Sequence, residues 1–213
     1  QCNLNKVPLH LINARLSKKS LNKYLPFRGF INSGLSQLNS IYVRSKEDLV
    51  NFKRLTQANT RIMGNLKFEA TPPKGIREKI NKLKNKLKIT NQFVLVAGST
   101  RPGEEKILLE VVKKLNYKDL ILVIVPRHPE RFIEVEKIFL EQNLKIKRKS
   151  KLGSLKKPPA YILGDTMGDL YETYGIASLA IIGGSILDYG GQNPIEPMSL
   201  NILTAVGPSI YNF

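Results

Sequence analysis

The sequence predicts an α/β fold built on parallel sheets, and three observations predict it. Short apolar runs of strand length alternate with amphipathic stretches of helical period along most of the chain. The longest apolar run, around residues 120–125, has the length of a strand and falls well short of the ~20 residues of a membrane-spanning helix. Segments rich in Gly, Ser and Asn follow the strand candidates directly, and open parallel sheets bind ligands at those carboxyl ends.

Taken in order, the elements begin with strands over 9–13 and 40–43. The run Glu69-Ala70-Thr71-Pro72-Pro73-Lys74-Gly75 then reads as a linker, because paired prolines and a nearby glycine end regular structure. Ile76, Ile80, Leu83 and Leu87 recur at helical spacing, with lysines on the other faces. Strands follow at 93–97, 120–125, 160–163, 179–182 and 202–206. Between them lie helices marked by Ile107, Leu108, Val111, Val112 and Leu115, and by Phe132, Val135, Ile138 and Phe139. Pro102 and Pro129, each followed by Glu, mark helix starts. These elements divide the chain into residues 1–70, with too few strands for a complete domain, a linker and basic helix at 71–90, and a doubly wound domain at 91–213 that lacks its last elements.

Composition narrows the class. The 213 residues are 42% hydrophobic and 24% charged, which supplies a packed core and excludes wholesale disorder, collagen and coiled coil. Cys2 is the only cysteine, so no internal disulfide forms and a cytosolic setting is the default. The chain opens on Gln1 without a signal peptide and stops just after a strand candidate, which reads as a piece of a longer protein. Its net charge is +17, of which residues 74–88 and 145–157 carry thirteen. Any case for nucleic acid or a membrane surface rests on those two runs.

Four loops after strands hold the chemistry. The first is Gly98-Ser99-Thr100-Arg101-Pro102-Gly103-Glu104-Glu105, whose small residues and hydroxyls suit an anion but equally an ordinary turn and helix start; it matches neither P-loop nor GxGxxG spacing. In Pro126-Arg127-His128-Pro129-Glu130-Arg131, Arg127 stands at a strand end, where a guanidinium binds a phosphate or a base edge. His128 reads as a helix cap, and Arg131 as a surface partner of Glu134. The third, Gly164-Asp165-Thr166-Met167-Gly168-Asp169-Leu170, has Thr166 and Asp169 at capping-box spacing, with Met167 free to pack on a base or sugar. The fourth runs from Gly183-Gly184-Ser185 to Gly190-Gly191-Gln192-Asn193-Pro194-Ile195-Glu196-Pro197. Asn193, Pro194 and Glu196 fit a helix start, and a first-turn Glu is also placed to accept from ribose hydroxyls. The chain has no CxxC, HExxH or Gly-x-Ser-x-Gly, and only His10 and His128, which argues against zinc and serine-hydrolase chemistry.

Together these loops resemble the 3-deoxy-D-manno-octulosonic acid (Kdo) transferases of lipopolysaccharide synthesis. The resemblance begins at Ile12-Asn13-Ala14-Arg15-Leu16-Ser17 and includes Gly64-Asn65-Leu66-Lys67-Phe68, all four loops, Gly207-Pro208 and Asn212-Phe213. It implies a GT-B glycosyltransferase with two Rossmann-like domains. Kdo would pass from CMP-Kdo to a lipid A precursor with inversion, with no metal or other cofactor, at the cytoplasmic face of the inner membrane. By the same resemblance Arg127 contacts cytidine or phosphate, and Gly164, Met167 and Gly168 wall the CMP. Asn193 and Glu196 hold ribose or sugar, Ser99, Thr100, Gly103 and Gly184 complete the donor pocket, and Arg15 faces the acceptor-side cleft.

Two departures stand out. Gln192 occupies a position where the family usually has His, and the stretch from Met198 to Val206 diverges from the family's small-residue pattern. The family's general base is expected in an N-terminal segment outside this chain, so no catalytic base is nominated and the chain alone is expected not to turn over. Two alternatives are another GT-B sugar-nucleotide enzyme, either a transferase or an epimerase, and a basic module for nucleic acid or anionic membrane, with Lys82, Lys84, Lys147 and Lys149 as contacts. Nucleic acid is the weaker of these, since no RNA-binding aromatic motif accompanies the lysines. A peripheral helix at 76–88 facing an anionic membrane is the expected use of the charge.

Overall fold

The computed structural model describes residues 5–66 and 71–212. Cys2, Lys67, Phe68 and Phe213 lie outside the described residues. The chain divides into two compact units, Gln1–Glu69 and Ala70–Phe213.

In the first unit β1 (His10–Ala14), β2 (Ser40–Val43) and β3 (Thr60–Ile62) form a parallel sheet in that order. Helices α1 (Lys18–Tyr24), α2 (Arg28–Leu35) and α3 (Lys46–Leu55) accompany them. The core is Ala14, Leu16, Leu21, Ile41, Val43, Phe52 and Leu55. Ser45 and Asp48 cap α3 reciprocally: the Ser45 hydroxyl oxygen accepts from the Asp48 amide at 3.1 Å and donates to its carboxylate at 2.7 Å. The other oxygen of buried Asp48 accepts from the Leu16 amide at 2.8 Å, and Asn51 donates to the Leu16 carbonyl at 2.7 Å. One helix start thus fixes the turn after β1.

The second unit holds six parallel strands in the order β6-β7-β5-β4-β8-β9. These are β4 (Phe93–Thr100), β5 (Leu120–Pro126), β6 (Ile146–Arg148), β7 (Tyr161–Leu163), β8 (Leu179–Ile182) and β9 (Thr204–Ala205). The central strands are apolar along nearly their whole length because both faces are covered. Val94, Val96, Ile121 and Val123 pack with Leu83 and Leu87 of α4 (Ile76–Leu87) and Tyr174 of α7 (Leu170–Gly175). Leu95, Leu122 and Ile124 pack on the other face with Leu109 and Val112 of α5 (Glu104–Leu115) and Val135 and Phe139 of α6 (Phe132–Leu140). A last short helix, α8 (Ile195–Ser199), follows β8.

The fold class is α/β with parallel sheets, as the alternation predicts. Three details differ. β3 and β6 are three-residue strands with too little apolar patterning to announce themselves. The strand expected at 202–206 contracts to two residues, after Asn201 turns the chain at φ 57°. β4 runs on through Gly98, Ser99 and Thr100, so these belong to the sheet and not to the loop. The helix at 76–88 is part of the second unit's core, through Ile76, Leu83 and Leu87, with most of its lysines exposed.

Candidate functional site

The sheet order reverses between β4 and β8, and the chain leaves both strands at the same end. That is the switch point where such sheets bind ligands. The three loops around it are held by two adjacent acids of α5. The Glu104 side chain is fully buried and accepts from the amides of Gly184 at 2.7 Å, Arg101 at 2.9 Å and Ile186 at 3.0 Å. Glu105, also fully buried, accepts from the Thr100 hydroxyl at 2.6 Å and from both terminal nitrogens of Arg131 at 2.7 and 3.1 Å. Burial alone would lower the Arg131 guanidinium's proton affinity, but hydrogen bonds to Glu105 and Glu134 carry it above its ordinary value. Arg131 pairs with Glu134 as its sequence spacing predicts, yet is itself buried, so the surface role expected of it is corrected to a core ion pair.

Backbone geometry brings β4 and β8 close. Ser99 sits at φ 57°, a left-handed conformation that costs a non-glycine residue ~1 kcal/mol, at an irregularity between Gly98 and Thr100. Its carbonyl faces Gly183, where a Cβ would meet that oxygen at 2.3 Å. Gly184, at φ 70°, donates to Glu104 and accepts from Gly191 at 2.6 Å, closing the loop on itself.

Two groups of side chains stand out, each including expected site residues and others. Arg127 follows β5, and Glu196 lies in the first turn of α8, after β8. Burial raises the Glu196 carboxyl above the usual carboxylate range, against the opposing pull of the Arg127 guanidinium. Tyr174 joins them: burial, then the Glu196 charge, raises its phenol, and its hydroxyl fills the space over Gly98. The second group centres on Arg101, read from the sequence as added charge in its loop but not nominated as a site residue. Its guanidinium donates to His128 Nε2 at 2.6 Å and lies 5.0 Å from the centre of the Tyr189 ring, beside Gly184. Accepting at Nε2 leaves the ring proton of His128 on Nδ1. His128 takes the N-cap position before Pro129–Arg131, as the sequence suggested, but its side chain makes no capping bond and orients Arg101 instead.

The remaining residues fall as follows. Thr100 is fully buried with its hydroxyl donated to Glu105, which makes it a support for the loop and not a wall of it. Gly103 lies at φ 93° at the start of α5, and Gly164 is buried where a Cβ would meet Val125 at 2.7 Å. Met167 is 67% exposed, beside the open Gly168. Pro194, not Asn193, stands at the N-cap of α8, so the predicted cap shifts by one residue; Asn193 Oδ1 still accepts from the Ile195 amide at 3.1 Å, and its amide nitrogen is a donor. The capping box expected from Thr166 and Asp169 is corrected: Asp169 itself stands at the N-cap of α7, and its carboxylate takes the Thr166 hydroxyl and Lys149. Arg15 is exposed at the end of β1 in the first unit.

The basic run at 145–157 is corrected too. Lys149 is buried, bonded to Asp169 at 2.6 Å and Glu172 at 2.7 Å, and Arg148 is paired with Glu136 at 2.6 Å. Lys149 is thus removed from any nucleic-acid surface. Among the described residues no helix is long and apolar enough to cross a membrane.

Comparison with known proteins bears on both units. The family model for 3-deoxy-D-manno-octulosonic-acid transferase (kdotransferase) matches residues 1–70. The 3-deoxy-D-manno-octulosonic acid transferase of Haemophilus influenzae is 31% identical over 217 residues, covering 99% of this chain and 50% of the relative. That of Rickettsia bellii is 31% identical over 212 residues, covering 99% and 49%. The chain therefore spans about half the length of the curated relatives it matches. Among solved structures, the C-terminal CMP-Kdo binding domain of WaaA from Acinetobacter baumannii superposes with a TM-score of 0.60 at 36% identity, over 65% of this chain and 73% of that one.

Proposed function

The chain belongs to the 3-deoxy-D-manno-octulosonic acid transferase family, and from that premise we propose that its second unit binds CMP-Kdo at the carboxyl ends of β4, β5, β7 and β8. One observation carries this reading. The six-stranded parallel sheet has its switch point between β4 and β8, with Arg127 after β5 and Glu196 in the first turn of α8 following β8, in a unit whose match to a domain described as binding CMP-Kdo is 36% identical.

The chemistry of the donor fits what these groups offer. A guanidinium stays charged at any working pH and binds a phosphate through paired N–H bonds, the role given to Arg127. The Glu196 carboxylate accepts from ribose hydroxyls, and the free amide nitrogen of Asn193 donates to sugar oxygens. Ser99, Gly103 and Gly184 let the ligand approach the backbone, while Gly164, exposed Met167 and open Gly168 form the wall beside the base. Thr100, Glu104, Glu105 and Arg131 hold those loops in place from behind.

For the whole protein, the proposal extends to inverting, metal-independent transfer of Kdo to a lipid A precursor at the cytoplasmic face of the inner membrane, with Arg15 on the acceptor side. Titration of the purified chain with CMP tests the donor site. Saturable binding is expected, weakened by about ten-fold or more in Arg127→Ala and in Glu196→Ala, as loss of a charge-assisted hydrogen bond implies. Affinity unchanged in both variants refutes the assignment, and equal competition by UDP transfers it to another sugar-nucleotide chemistry.

A further inference from the structure

A cavity of about 720 Å³ opens at the amino ends of β5 and β7, across the full length of the strands from the donor loops. Lys118, Lys145, Lys147, Lys156 and Lys157 line it, and among its described lining residues Asp119 alone is acidic. All five lysines are exposed, and none forms an ion pair among the described residues.

The contrast with their neighbours is informative. Arg148 and Lys149, from the same basic run, turn inward and are neutralised by Glu136, Asp165, Asp169 and Glu172. The fold supplies carboxylates where it buries a cation and leaves the cavity's lysines without them. Two structural explanations fall short. Helix C-termini attract cations only within the last turn, and Lys145 lies five residues beyond the end of α6 at Leu140. Lysines also guard edge strands, which accounts for Lys147 in β6 but not for Lys118, Lys156 or Lys157.

We infer that this cavity binds an anion bearing several phosphate groups. Five lysines against one aspartate leave a surplus of four positive charges, more than a single phosphate balances. Leu155, Pro158 and Pro159 give the wall an apolar side, against which the carbon skeleton of a phosphate ester or a lipid headgroup packs. The inference is independent of the donor site, and its test keeps the two apart.

The probe is tripolyphosphate, titrated into the full chain at about 0.15 M salt, where diffuse surface charge is screened. Saturable binding is expected, undiminished by saturating CMP. Lys147→Ala/Lys156→Ala/Lys157→Ala should weaken it about ten-fold or more, while Lys79→Ala/Lys82→Ala/Lys86→Ala, an equal charge loss on α4, should leave it within about two-fold. Thermal unfolding of both variants checks that each is folded. Displacement by phosphatidylglycerol vesicles but not by phosphatidylcholine vesicles assigns the phosphates to a lipid surface, and displacement by neither assigns them to a soluble ester. The proposal is overturned by absence of saturable binding, by equal weakening in both triple variants, or by displacement with CMP.

Discussion

Replacing Glu104 with Ala removes the acceptor for three short amide bonds and should cost the second unit about 4 kcal/mol. The Gly184 bond is fully buried, while those from Arg101 and Ile186 are partly accessible. A buried donor left without a partner costs ~1–3 kcal/mol, and one that water reaches sits near the low end. About 2 kcal/mol for Gly184 and ~1 for each of the others gives the sum. Glu104→Gln keeps one accepting oxygen but turns an NH2 toward the other amides, so about half the loss is expected.

Urea unfolding measures the global effect: with a slope of ~2 kcal/mol per molar, the midpoint falls by roughly 2 M for Ala and 1 M for Gln. Hydrogen exchange measures the local one, since the amides of Gly184 and Ile186 should lose protection. Glu110→Ala, exposed on the same helix, is the control and should stay within about 0.5 kcal/mol of the parent. If Glu104→Ala behaves like Glu110→Ala, or protection at Gly184 is unchanged, Glu104 does not hold the loop after β8.

The buried Glu105–Arg131 pair should show the asymmetry of interior ion pairs. Glu105→Gln and Arg131→Met alone should each cost ~3–5 kcal/mol in urea unfolding, and the double variant clearly less than their sum; strict additivity would mean the pair is not coupled. Glu196→Gln should separate stability from binding. A carboxyl whose folded value is raised favours the protonated form, so its contribution is full below the ordinary value of 4.5 and is lost as pH rises through the folded value. At about pH 7 the Gln variant should therefore melt above the parent while binding CMP more weakly, and the melting difference should vanish near pH 4. A parent that is the more stable protein at pH 7 would contradict the buried-carboxylate account.

What could be read in the sequence was what is local. The strands read at 93–97 and 120–125 announce themselves because burial on both faces demands continuous apolar residues, while Gly98, Ser99 and Thr100, which extend the first of them, do not. Thr60-Arg61-Ile62 and Ile146-Lys147-Arg148 do not, because a three-residue edge strand needs no such run. The same division governs the site. Glycines and hydroxyls after strands mark the loops proposed to bind the donor, and Arg127 and Glu196 stand out as charges near them. Thr100 looks like a ligand residue by composition, and only a glutamate five positions on makes it a support. Glu104 and Glu105 look like ordinary acids favouring a helix N-terminus; their partners lie 80 and 26 residues away, a distance over which residue type and spacing carry no signal.

Those two acids also bear on how the loops at the carboxyl ends of β4, β5 and β8 act together. Adjacent on α5, they reach in different directions: Glu104 to the loop after β8, Glu105 through Arg131 to the segment after β5, with Thr100 at the end of β4 between them. A single step of helix thereby ties together the end of β4, the segment after β5 that carries Arg127 and the loop after β8 that carries Gly184. Binding a nucleotide across loops that are already fixed avoids the ordering cost that free loops would incur, ~0.5–1.5 kcal/mol for each side chain immobilised. Donor affinity should thus respond to Glu104 and Glu105 although neither is accessible to a ligand, and the loss should be larger than stability alone accounts for. CMP titration of Glu104→Gln under conditions where it is fully folded makes the distinction: unaltered affinity would leave these acids a role in folding only.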